Sequence, residues 1–126
     1  MNSGLRASPN ATALAQITCI NGPPCKPGNT ADDVAQSFWK ILDKYGIEKK
    51  SRTGYSIGIG YPPDWGEHTL NIYKGDMTVL EPNVCFHMIA VMQFGDWGVE
   101  ASEAIRVTEN GSELFCNFPK ELHIKS

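Results

Sequence analysis

Several side chains in the middle of this 126-residue chain have the chemistry of an acid–base site. His87 sits in an apolar run over residues 84–92, and an imidazole there can serve as general acid or base near neutral pH. A hydrogen-bonded core histidine is the plainer alternative. Glu67 ends the run Tyr61-Pro62-Pro63-Asp64-Trp65-Gly66-Glu67. A carboxylate on so stiff a loop suits a cationic group through charge and planar hydrogen bonding, and Trp65 could add a cation–π contact. An exposed loop acid beside a core tryptophan explains the same residues about as well. His68 follows directly and is a further candidate for binding. Glu100 and Ser102 share a strand face, and Glu103 falls on the opposite one under regular alternation. Tyr55, on a glycine-rich strand, could donate a phenolic hydrogen bond.

These groups need a scaffold to hold them. Thr30 is a good helix N-cap, with Asp33 completing a capping box and Asp32 complementing the dipole. Val34, Phe38, Ile41, Leu42 and Tyr45 then repeat at helical spacing, and Gly46 stops the helix. Strands are expected over 55–60, 69–73, 84–92, 99–108 and 113–118. Pro62 to Gly66 should form a rigid loop, Lys74-Gly75-Asp76 a turn, 94–98 a turn, and Glu109-Asn110-Gly111 a hairpin. One helix and five serial strands predict an α+β fold with a curved, mostly antiparallel sheet. Residues 1–25 are rich in small and polar residues, with a weak helix pattern over 11–20. They are expected to be a poorly anchored segment ahead of a domain over 26–126.

The net charge is −3 and the lysines and arginines are scattered, so no nucleic-acid or membrane partner is expected. The small cluster at 48–52 is read as a solvated loop. Four cysteines, at 19, 25, 85 and 116, lack metal-ligand spacing and are too few for a disulfide scaffold. Cys85 and Cys116 are read as buried core residues. A reducing, cytoplasmic setting follows as the expectation. No apolar stretch approaches the ~20 residues of a membrane span.

The order of motifs resembles the pita-bread hydrolases, the creatinase, prolidase and methionine-aminopeptidase group. Lys26-Pro27-Gly28-Asn29-Thr30 is similar to their PG-x-T entry to a helix. Gly54-Tyr55-Ser56-Ile57-Gly58 is similar to GHGIG, and Val79-Leu80-Glu81-Pro82-Asn83-Val84 to LEPGM. Phe86-His87-Met88-Ile89 takes the place of FTIE. Ser102-Glu103-Ala104-Ile105-Arg106-Val107-Thr108-Glu109-Asn110-Gly111 resembles E-D-T-x-x-VTE-x-G. The match runs in order from Lys26 to Glu121 and implies the C-terminal half of a domain roughly twice this size. The other half would lie on a missing segment or another chain.

The resemblance also carries a ligand set: paired aspartates from the absent half, one histidine and two glutamates. The histidine position falls on Tyr55, and the glutamate positions on Ile89 and Ser102. A hard or borderline cation needs oxygen or imidazole donors, so no metal and no other cofactor is expected. Glu103 could substitute for the glutamate at 102 only through a bulge. Ectoine hydrolases, metal-poor members that open a small cyclic amidine at a C–N bond, are the most similar through Tyr61 to Glu67, Phe86-His87 and Asp96-Trp97-Gly98-Val99-Glu100. The expectation is a metal-independent C–N hydrolase. His87, Glu67 and Glu103 would be catalytic; Tyr55, Trp65, His68 and Glu100 would bind a small-molecule substrate. The full-length form would be a homodimer, and this chain alone would have little activity. A metal-dependent Xaa-Pro aminopeptidase, or an inactive product acting only by association, are the alternatives.

Overall fold

The computed structural model describes residues 24–119 and Lys125. The helix expected over 11–20, most of the segment 1–25, and His123 lie outside the described residues. Of that segment Pro24 and Cys25 are described, and Cys25 is buried.

Helix α1 (Ala31–Lys44) starts where the capping pattern places it. Thr30 Oγ1 accepts from the Asp33 N–H at 3.2 Å, and Asp33 Oδ2 accepts from the Thr30 N–H at 2.8 Å. Both satisfy donors that a helix start leaves open. Gly46, at φ 65°, follows the last turn. The turn ahead of the helix is stitched to residues 78–80: Gly28 N–H donates to the Leu80 carbonyl, Leu80 N–H to that of Asn29, and Ala31 N–H to that of Thr78.

Five strands follow: β1 (Gly54–Tyr61), β2 (Asp64–Ile72), β3 (Cys85–Phe94), β4 (Trp97–Val107) and β5 (Ser112–Leu114). They form one antiparallel sheet in the order β2-β1-β3-β4-β5. This is the expected α+β architecture, with differences of extent; the strand expected over 113–118 is shortened to Ser112–Leu114. Asp64, Trp65 and Gly66, expected in a rigid loop, belong to β2, and the turn after β3 is confined to Gly95 and Asp96. In both places two strands pair nearly to the hairpin tip, which extends the ladder beyond the apolar pattern.

The sheet has two unlike faces. Phe86, Met88, Ala90 and Met92 of β3 and Ile105 and Val107 of β4 are buried with Val34, Phe38, Ile41 and Leu42 of α1. Each of these side chains larger than alanine contributes about 1.5–3 kcal/mol on burial. The alternate residues of β3, Cys85, His87, Ile89 and Val91, point to the other face and are only half-buried. Cys85 is therefore not the core residue expected, because it occupies the wrong phase of the alternation. Cys116 lies beyond the end of β5 and is exposed.

The basic cluster is the exposed loop expected except at one residue. Lys49 is buried, and its ammonium donates to Ser51 Oγ at 2.7 Å and to the Val91 carbonyl at 2.9 Å. β1 pairs with β3 only over residues 86–88, so Lys49 serves the Val91 carbonyl where that pairing has ended. Burial pushes its ammonium below the usual lysine range.

Candidate active site

Register places the site on the half-buried sheet face. β1 lies against β3 with Tyr55 opposite His87. That approach depends on Gly54, where a Cβ would stand 2.8 Å from Ile72 Cγ1 and 3.0 Å from the His87 carbonyl oxygen. β3 and β4 pair without a slip from Cys85 opposite Arg106 to Phe94 opposite Trp97. Directly paired residues share a face. His87 and Ala104, Ile89 and Ser102, and Val91 and Glu100 therefore line one surface together with Tyr55.

Three aromatic groups meet at its centre. The Trp65 indole N–H donates to Tyr55 Oη at 3.0 Å, and Tyr55 Oη lies 2.8 Å from His87 Nδ1. The Tyr55 and His87 rings meet edge-on, with centroids 5.3 Å apart at 89°. The Arg52 guanidinium stacks 4.7 Å from the centroid of the Tyr55 ring and donates to Asn71 Oδ1 at 2.6 Å. Burial holds the His87 imidazole below its ordinary value, and the negative charge of Glu100 opposes that fall.

The other candidates are placed elsewhere. Glu103 pairs with Met88 on the helix-covered face. The bulge that would turn it toward His87 is absent from this ladder, so the structure does not bring it to the site. Glu67 lies over the glycines of β1: Oε1 accepts from the Gly60 N–H at 2.6 Å, and a Cβ on Gly58 would stand 3.1 Å from its carboxylate carbon. His68 is exposed, at φ 56°, with Nε2 2.6 Å from Asp64 Oδ2. The Gly66 N–H and then the His68 ring hold the Asp64 carboxyl below the usual range. An irregular register explains this placement. Tyr55 pairs with Asn71 but Ile57 with Gly66, so β2 carries extra residues between them. The buried Ser56 hydroxyl accepts the freed Thr69 and Leu70 N–H groups at 3.1 and 3.4 Å. Arg52 had no signal in the strand pattern, since it precedes β1.

The sequence model of Metallopeptidase family M24 matches residues 6–109, most of the chain. The chain belongs to metallopeptidase family M24. Among curated proteins in this relationship, the ectoine hydrolase of Halomonas elongata is 45% identical over 101 residues, which cover 79% of this chain and 25% of that protein. Among solved structures, dipeptidase PepE from Mycobacterium ulcerans superposes with a TM-score of 0.83 at 27% identity, covering 96% of this chain and 32% of that one. The prolidase from Pyrococcus horikoshii OT3 gives a TM-score of 0.84 at 22% identity, covering 97% and 34%. At that identity the prolidase likeness is one of fold. The fold is thus that of a pita-bread domain, and the chain spans a quarter to a third of the length of these relatives.

The M24 name implies a metal, and the donors on this face can be tested against one. Tyr55, Ile89 and Ser102, where the motif resemblance places the family's ligands, share a face. Ile89 has no donor atom, the Ser102 hydroxyl is neutral, and Tyr55 Oη is engaged by Trp65 and His87. Among the described residues, no three of His, Cys, Asp and Glu gather as a metal-holding group. These residues do not fit a pair of divalent ions.

Proposed function

We propose that this chain forms half of the site of a metal-independent C–N hydrolase acting on a small cyclic amidine of the ectoine type. The observation that carries the reading is the shared face on which Tyr55, Ile89 and Ser102 occupy the family's ligand positions beside a His87 bonded to Tyr55. The 45% identity to an ectoine hydrolase supports the substrate class. In this reading water adds to the amidine carbon, the ring C–N bond breaks, and the products are an amide and an amine. His87 and a carboxylate on the same face, Glu100, assist. Glu103 pairs on the opposite face and the Glu67 carboxylate is held over the β1 glycines, so this reading gives the carboxylate role to Glu100.

The whole domain, as a cytoplasmic homodimer, would be the active form. Ile59, Tyr61 and Trp65 near the outer end of the β1–β2 ribbon are 97%, 79% and 51% exposed, which favours their being covered in a larger assembly. The test is hydrolysis of ectoine by the protein together with whatever supplies the rest of the pita-bread domain, with and without chelator. Turnover indifferent to chelator is expected. Turnover that disappears with chelator and returns with zinc or manganese overturns the reading.

A further inference from the structure

The three aromatic groups at the centre of the site decide where the His87 proton sits. An indole N–H can only donate, a phenol carries one proton and can accept, and a neutral imidazole has one donor and one acceptor nitrogen. Trp65 Nε1 is 3.0 Å from Tyr55 Oη, so that oxygen accepts there. Tyr55 Oη is also 2.8 Å from His87 Nδ1. If Nδ1 carried the proton, the phenol oxygen would accept from two donors and its own proton would need a third partner. If Nδ1 is bare, each group has one partner of the right kind: indole to phenol, phenol to imidazole. Tyr55 is held edge-on to His87 and is covered on one face by Arg52, itself tied to Asn71.

We propose that Trp65 and Tyr55 are positioning residues that hold neutral His87 in the tautomer with its proton on Nε2, so that the imidazole meets its ligand as a hydrogen-bond donor. The group it takes is an acceptor oxygen of a small molecule, a carboxylate or a carbonyl. Neutral His87 then has no free nitrogen with which to deprotonate water. Activation of water falls to a carboxylate, and Glu100 lines the same face two pairs along the β3–β4 ladder. This division of roles rests on the hydrolase reading; the tautomer does not. Trp65 thereby acts through Tyr55, not as a cation–π platform for substrate.

The experiment is a long-range proton–nitrogen correlation spectrum of the full chain labelled with ¹⁵N-histidine, about two pH units above the ordinary histidine value. The His87 signal is assigned by its loss in His87→Gln. A single Nε2–H tautomer with bare Nδ1 is expected in the unmodified chain, relaxing toward a tautomer mixture in Tyr55→Phe and part of the way in Trp65→Phe. A Nδ1–H state or a mixture in the unmodified chain overturns the proposal without recourse to any variant. So does a pure Nε2–H state that survives Tyr55→Phe, and an unchanged spectrum in Trp65→Phe removes that residue from it. The readout is independent of turnover. A wrong tautomer leaves the chelator result standing, and failure to hydrolyse ectoine leaves the tautomer standing.

Discussion

One strand, β3, supplies both a fully packed surface and the surface proposed to carry the chemistry. Its even-numbered residues Phe86, Met88, Ala90 and Met92 are at most 3% exposed and belong to the core that includes α1. Its odd-numbered residues Cys85, His87, Ile89 and Val91 are half-buried and face Tyr55, Ser102 and Glu100. The two sets differ only by one step of the pleat, which sends neighbours to opposite sides. Apolar burial fixes one set, and that rigidity aims the other. His87 lies between two fully buried residues, so its ring position is set by packing it takes no part in. The comparison also accounts for Glu103, which is one residue from a ligand position but on the face that holds the fold.

The strongest way to break this contrast is truncation on each face. Phe86→Ala is expected to cost about 3–5 kcal/mol, the usual range for a buried phenylalanine, and Ile89→Ala well under half of that. Denaturant midpoints compare them, and equal losses would dissolve the distinction. Next in size is Gly54→Ala. Its methyl group would meet Ile72 and the His87 carbonyl, and overpacking of this kind costs about 1–3 kcal/mol. Because β1 must shift, the Tyr55–His87 hydrogen bond should be lost in the same variant, visible in the histidine nitrogen spectrum.

A smaller effect sharpens the contrast from the other side. Thr30→Ala removes the helix cap and is expected to cost about 1 kcal/mol, with the His87 spectrum unchanged. The smallest effect is with pH. Burial lowers the folded-state pKa of His87 below its ordinary 6.5, against the pull of Glu100. The stability this contributes is fully present above 6.5, where both states are neutral, and is lost as pH falls from there toward the folded value. Glu100→Gln removes the opposing charge. It should lower the His87 titration midpoint further, deepen the loss and extend it to lower pH, as followed by histidine chemical shifts and denaturant midpoints.

Much of the scaffold was legible in the sequence because it is written locally. The Thr30–Asp33 cap, the spacing of Val34, Phe38, Ile41 and Leu42, and the alternation through β3 each need only a few adjacent residues. The site was legible in part. Tyr55 and His87 could be named from the chain, but their pairing depends on the register between β1 and β3, which no local pattern sets. Glu67 and His68 could be named too, but the irregular ladder of β2, which no local pattern sets, decides that one meets the glycines of β1 and the other Asp64. Lys49 gave no local sign of burial, since one of its two partners is a backbone carbonyl 42 residues away. Asn83 shows the converse. It stands at φ 71° where the LEPGM motif has glycine, a conformation that asparagine tolerates.

The half-buried face of β3 and β4 is the claim on which the functional reading stands, and ligand mapping tests it most directly. Backbone and side-chain resonances of the protein would be followed as ectoine is added, with chelator present throughout. Shifts confined to Tyr55, Trp65, His87, Ile89, Glu100 and Ser102 are expected. Shifts centred on Glu67, His68 and Glu103, or shifts seen only when zinc or manganese replaces the chelator, would contradict it.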